Sequence, residues 1–226
     1  MKKIAIAVAA TMTAATASAM DFTLYGIVDT GLQYVHGDTD STAPNSDFDS
    51  FSMESGMQSG SRFGFKGTED LGNGLTVGFV LENQFSSDTG ALNSSGLLFH
   101  REASLFLEGA FGKFAMGRMG SINGGVSSWA KYGVISAFGT SWGDYSAQAG
   151  TWAMGAGMWD NVVAYETPNF AGFKVFAQYA MGNSKGDFSE ENESSSDRYY
   201  AIGASYANGP LNLYLAVDSI NYQTWG

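Results

Sequence analysis

The sequence predicts an all-β protein, an antiparallel β-barrel that crosses a membrane with strands. Three observations carry this. Apolar and polar residues alternate along many short stretches, tight turns alternate with long polar loops, and an export signal is followed by no apolar run long enough for a membrane helix. Transmembrane barrels have short turns at one end and longer loops at the other, and their strands of about ten residues cross the bilayer at a tilt.

The alternation is clearest from Ser61 to Phe85, SRFGFKGTEDLGNGLTVGFVLENQF. Successive strand side chains face opposite sides. Phe63 and Phe65 therefore share one face, and Arg62, Gly64 and Lys66 the other. After the turn Asp70–Gly74, Leu75, Val77, Phe79 and Leu81 share a face, opposite Thr76, Gly78, Val80 and Glu82. The Gly72-Asn73-Gly74 tripeptide reads as a hairpin turn rather than a phosphate cradle.

The N-terminus supplies the export signal. Met1-Lys2-Lys3 is basic, Ile4 to Ala10 is apolar, and Ala17-Ser18-Ala19 matches a small-residue cleavage site. This places a signal peptide at residues 1–19 and starts the mature chain at Met20. The apolar part falls short of the roughly 20 residues that a spanning helix needs.

Composition narrows the class further. The formal charge is −11, and loss of Lys2 and Lys3 takes it to −13, which argues against a nucleic-acid partner. With no cysteine, the exported chain is not held by disulfides. Thirty glycines against three prolines, with 14% aromatics, suit strands and turns better than helices. No cofactor is expected.

Taken in order, Asp21 to Tyr34 reads as a first strand and His36 to Ser50 as a long acidic loop. The Ser61–Phe85 hairpin follows, then the polar loop Ser86–Ser95. Gly96–Ala110 and Gly112–Arg118 form a hairpin around Gly109–Phe111. Met119–Gly157 breaks the pattern, with about forty residues and no sustained alternation; loops of that length are functional or disordered. Its Trp129, Tyr132, Phe138, Trp142, Tyr145 and Trp152 argue for a packed loop, since disordered segments are poor in aromatics. Alternation returns in Asp160–Thr167, Gly172–Met181, Arg198–Tyr206 and Leu211–Tyr222, with a polar loop over Gly182–Asp197. The count is nine strands.

These residues carry a resemblance. LYGIVDTG (Leu24–Gly31), SRFGFKGTEDLGNGL (Ser61–Leu75), LENQF (Leu81–Phe85), GRM (Gly117–Met119), DNVVAYETPNFAGF (Asp160–Phe173) and GASYANGPL (Gly203–Leu211) resemble, in order, the trimeric Gram-negative general porins of betaproteobacterial type. The resemblance implies a barrel of about sixteen strands around an aqueous lumen. It also implies a homotrimer in the outer membrane, in contact with lipid and lipopolysaccharide, that passes small hydrophilic solutes and ions by diffusion. Residues 20–226 would be the N-terminal part of that barrel, with 119–157 as the third loop, folded inward to narrow the pore.

In that family, wall arginines face acidic residues of the third loop. Arg62 and Arg101 match wall arginines, Met158 stands where a third falls, and Glu82 matches a lumenal acid. Asp144 is the one acid between Glu108 and Asp160, so the loop is poor in charge. Lys66, Arg118 and Lys174 are further lumen-wall candidates. With Arg101 inward, His100, Glu102, Ser104 and Phe106 would face outward; that face is too polar for mid-bilayer lipid and suggests a subunit contact.

Two other readings stay open on sequence alone. A secreted soluble β-sandwich would suit the loop aromatics, as a carbohydrate binder. An outer-membrane barrel enzyme would need a nucleophile, base and orienting group, for which His100 is the candidate base. Nine strands are too few for the barrel the motifs imply, so this polypeptide alone is not expected to form a stable pore.

Overall fold

The computed structural model describes residues 20–37, 48–94, 96–131, 157–182 and 197–221. The predicted signal peptide, Asp144 and loop residues 132–156 lie outside the described residues. The elements are all strands: β1 (Asp21–Ile27), β2 (Thr30–Gly37), β3 (Phe48–Ser55), β4 (Arg62–Gly72), β5 (Leu75–Gln84), β6 (Glu102–Gly109), β7 (Gly112–Gly120), β8 (Met158–Glu166), β9 (Phe173–Ala180), β10 (Arg198–Asn208) and β11 (Leu211–Asn221). Nine of them make one sheet in the order β1-β4-β5-β6-β7-β8-β9-β10-β11, and β2 and β3 form a separate ribbon. Every neighbouring pair in the sheet is antiparallel. The sheet ends at β1 on one side and β11 on the other, so these strands do not close a barrel on themselves.

The turn-and-loop asymmetry follows from local chemistry. Gly72, Asn73 and Gly74 all take positive φ (84°, 54° and 74°), the left-handed backbone that a tight hairpin turn uses and that Gly and Asn tolerate. Gly117 is more constrained. Its φ is 129°, and a Cβ there would stand 2.2 Å from the Ala103 carbonyl oxygen. The β7–β8 register shifts between Gly117 and Met119, so glycine permits the bulge.

Two predicted elements differ. The single strand over Asp21–Tyr34 is two, because the ladder to β4 stops at Ile27–Arg62 and resumes as Thr30–Ser55 in the ribbon. Phe48–Ser55, whose first residues fall in the predicted loop, is a strand: Met53 pairs with Leu32 and Phe51 with Tyr34. Asp29 organises the break. Its Oδ2 accepts the Gln58 and Ser59 amides (2.9 and 2.8 Å), its carbonyl accepts from Gly56 N–H and Ser61 Oγ (both 2.9 Å), and its own amide donates to Ser61 Oγ (3.0 Å). Backbone groups that lose the ladder thus find side-chain partners. The second difference is β6, which begins at Glu102 rather than Gly96; Gly96–His100 is turn and irregular backbone, and Arg101 is a bend.

The register gives the sheet two unlike faces. One row reads Phe79, Leu105, Met116, Val163, Tyr179, Tyr200 across successive strands, apolar or aromatic throughout. A row on the opposite face reads Tyr25, Gly64, Glu82, Glu102. The first face is exposed: Leu105 is 50% accessible, Leu215 73% and Val217 66%. The buried cluster lies on the second face, where Phe106, Ala115, Val162, Ala164 and Phe176 meet Ile122 and Trp129 of the segment that follows β7. Exposed apolar faces of this extent mark surfaces that meet a partner or a membrane.

The Asp29 junction yields a pH test. The Ser59 and Gln58 amides hold the Asp29 carboxyl below the usual aspartate range. A depressed carboxyl favours the folded junction above the ordinary aspartate value of about 3.9, and that contribution fades as pH falls through the lower folded value. NMR of the Gln58 and Ser59 amides should therefore show shifts constant above about pH 4.5 that titrate only below the ordinary aspartate range. Asp29→Asn should abolish that titration; a midpoint at or above the ordinary value would contradict the clamp.

Candidate functional site

Glu82 is the centre of the polar face. It is buried on β5, paired in register with Glu102 of β6 and Gly64 of β4. Its Oε1 accepts from Arg101 Nε at 2.5 Å, its Oε2 accepts the Tyr25 hydroxyl at 2.8 Å, and Arg62 Nε stands 3.9 Å from that same oxygen. Arg101 also donates to Gln84 Oε1 at 2.5 Å, and Arg62 Nη1 donates to Ser59 Oγ (2.9 Å) and the Gly60 carbonyl (3.1 Å). Arg62, Arg101 and Gln84 line a recess of about 290 Å³ together with Gly125 and Val126.

Gly125 and Val126 belong to the segment 121–131, which crosses the polar face. Side chains of the sheet hold it. Gln178 of β9 accepts the Ile122 amide (2.8 Å) and donates to the Gly120 carbonyl (3.1 Å), and the Tyr214 hydroxyl donates to the Ile122 carbonyl (2.9 Å). Buried Glu102 accepts the Ser128 amide and hydroxyl (both 2.7 Å) and the Ser104 hydroxyl (2.6 Å). Glu166 bridges Lys131 of the segment (2.8 Å) and Lys174 of β9 (2.5 Å).

The predicted residues sort as follows. Arg62, Arg101 and Glu82 form one cluster, and Lys66 lies on the same face, exposed, with its ammonium 5.6 Å from the Tyr25 ring centre. Lys174 shares the face but is ion-paired. Arg118 does not line this face: it sits opposite Ala103, pairs with Asp160 and donates to the His100 carbonyl (2.7 Å). Met158 opens β8 opposite Gly120, two strands from Glu102, and takes no part in the cluster. Asp144 lies outside the described residues.

The sidedness of β6 corrects an expectation. Glu102, Ser104 and Phe106 face the same side as Glu82, Val80 and Gly78, not the outside. The bend at Arg101 interrupts the alternation, so Arg101 and Glu102 both serve the polar face. No polar outer surface remains on β6, because Ala103, Leu105 and Leu107 take that side. Sequence reasoning thereby missed Glu102, along with Glu166 and Gln178. The alternation of Glu102, Ser104 and Glu108 with Leu105 and Leu107 already held the signal.

His100 is partly buried, and burial, aided by the charges of Arg118 and Arg101, pulls its imidazole below the ordinary range. Its Nδ1 has no hydrogen-bond partner among the described residues.

Comparison with known proteins bears on the family and the fold. A family model described as Gram-negative porin matches residues 5–226. The chain is similar to an outer membrane porin protein of Bordetella pertussis, 37% identical over 98% of this chain and 60% of the relative. It is also similar to outer membrane porin protein 32 of Delftia acidovorans, 35% identical over 96% of the chain and 59% of the relative. Among solved structures, an anion-selective porin from Comamonas acidovorans matches with a TM-score of 0.66 and 30% identity, over 88% of this chain and 57% of that one. The chain thus spans about 60% of the length of the curated relatives it matches.

The two arginines should differ in what they hold together. Arg101→Ala strands the buried Glu82 carboxylate, and removal of one partner of a buried pair costs about 3–5 kcal/mol. Arg62, at 3.9 Å from the carboxylate, behaves as a weaker pair, so Arg62→Ala should cost about 0–1 kcal/mol. Urea unfolding in detergent micelles reads the difference; equal losses would contradict the assignment of Arg101 as the principal partner.

Proposed function

The chain belongs to the Gram-negative porin family, and from that premise we propose that it forms the wall and constriction of an outer-membrane diffusion channel. The observation that carries this reading is the sheet's two-sidedness. The apolar face meets lipid and, at its outer rim, lipopolysaccharide; the face bearing Glu82, Arg62 and Arg101 lines water. The segment 121–131 lies on the water side, where it narrows the lumen. Whatever narrows a lumen sets its size limit, and charges at the narrowing set ion preference.

Small hydrophilic solutes and ions pass passively past the Arg62–Arg101–Glu82 cluster. The site acts by size and field rather than by bond making, and the family is one of channels rather than enzymes. The protein assembles as a homotrimer. A soluble sandwich would need a second sheet over Leu105, Leu215 and Val217, and among the described residues those side chains are open.

The test is planar-bilayer recording on the full-length protein purified from outer membranes. Discrete conductance steps that close in groups of three support a trimeric channel. A heat-modifiable but non-conducting protein would overturn the channel reading.

A further inference from the structure

Arg101 has two acceptors on one strand. Its Nε donates to Glu82 Oε1 and its Nη1 to Gln84 Oε1, both at 2.5 Å. Glu82 and Gln84 lie two residues apart on β5 and so share a face. The carboxylate neutralises the guanidinium, whereas the neutral amide can only direct it.

That amide is itself held on two sides. Its Nε2 donates to Asn93 Oδ1 at 3.1 Å, so its oxygen is turned toward Arg101. The backbone repeats the link, since the Asn93 amide donates to the Gln84 carbonyl at 3.0 Å. On another side stands Gly60, where a Cβ would lie 2.9 Å from Gln84 Cδ and 3.0 Å from its Oε1. A bare Cα leaves the amide its seat. Gly60 and Asn93 also line the recess that Arg62 and Arg101 line.

Asn93 belongs to the loop that leaves β5, and that loop folds back on the strand. The Ser86 amide donates to the Ala91 carbonyl (2.8 Å), the Gly90 amide donates to the Ser86 carbonyl (2.7 Å), and Phe85 bridges Leu92. Farther along, the Arg101 amide returns to the Glu82 carbonyl at 3.1 Å. The chain thus leaves and rejoins the same few residues of β5, and Arg101 is where it rejoins. Asn93 is exposed and Arg101 is buried; half-buried Gln84 links the two.

We infer that Gln84 and Asn93 are positioning residues for Arg101. Through the Gln84 amide, the loop 86–93 sets the direction of the guanidinium, and with it the balance of chloride over potassium in the lumen. The inference rests on the diffusion-channel reading and goes beyond it by placing control of a wall charge in two neutral side chains. With the Gln84 acceptor gone, Nη1 turns to Glu82, since an arginine fork closes on a carboxylate with two parallel bonds. The pair then neutralises itself more fully, and the lumen meets less positive charge.

Reversal potentials of the full-length protein in bilayers under a potassium chloride gradient test this. Gln84→Met and Asn93→Ala change no formal charge. Each should still lower the chloride-to-potassium permeability ratio about twofold, as expected when one unit charge moves a few ångströms in a watery lumen. Gly60→Ala should act in the same direction by pushing the amide off its seat. Because the two side chains act in series, the Gln84→Met/Asn93→Ala double variant should shift the ratio no further than Gln84→Met alone. In an Arg101→Gln background neither change should move it. An unchanged ratio in conducting Gln84→Met or Asn93→Ala channels would overturn the inference. Additive shifts, or equal shifts without Arg101, would overturn it too, leaving a general loosening of the wall. Should Gln84→Met fail to assemble, exposed Asn93→Ala carries the test alone. Absence of any conductance from the wild type is a separate result, which removes the channel reading itself.

Discussion

Two carboxylates face each other across β5 and β6. Glu82 and Glu102 are register partners, both buried, and like charges directly opposite on neighbouring strands repel. The fold around them is the answer to that conflict. Glu82 takes a guanidinium and a phenol, from Arg101 and Tyr25. Glu102 takes hydroxyls and an amide, from Ser104 and Ser128. The first set fixes the wall. The second reaches across to the segment after β7 and holds it against the sheet. The wall thus meets the repulsion with its own side chains and with Ser128 of the loop base.

The same sheet has two unlike faces. Backbone groups pair along nine antiparallel strands, so the ladder leaves unpaired groups only at the two edge strands among the described residues, β1 and β11. The buried cluster that a soluble protein would place between layers sits on the water side, around Ile122 and Trp129. Charge gathers on the polar face, which carries paired arginines, a shared glutamate and, among the described residues, two lysines without salt bridges.

Much of this was legible in the sequence where alternation is unbroken. Leu211, Leu213, Leu215 and Val217 on one face of β11, and the opposition of Phe63 and Phe65 to Arg62 and Lys66 on β4, stand as their spacing says. Legibility fails where one irregular residue resets the phase. The bend at Arg101 reverses the facing of every β6 residue, because a one-residue slip moves a whole strand to the other side. The ribbon strand Phe48–Ser55 was obscured by its Asp and Ser content, which local propensity reads as loop although Phe51 and Met53 pair well. The loop anchors are harder still. Glu102 and Ser128 are 26 residues apart, and Gln178 and Ile122 are 56 apart. Nothing local marks such pairs; they exist only once the sheet is assembled.

We propose that the Glu102 carboxylate, which accepts the Ser128 amide and hydroxyl, holds the loop base and so keeps the lumen narrow. Single-channel conductance of a Glu102→Ala form of the full-length protein tests it most directly. Removal of the acceptor for Ser128 frees the loop base, and the account predicts a larger, noisier conductance with a raised size limit for neutral sugars. An unchanged, quiet conductance in a correctly assembled Glu102→Ala protein would contradict it.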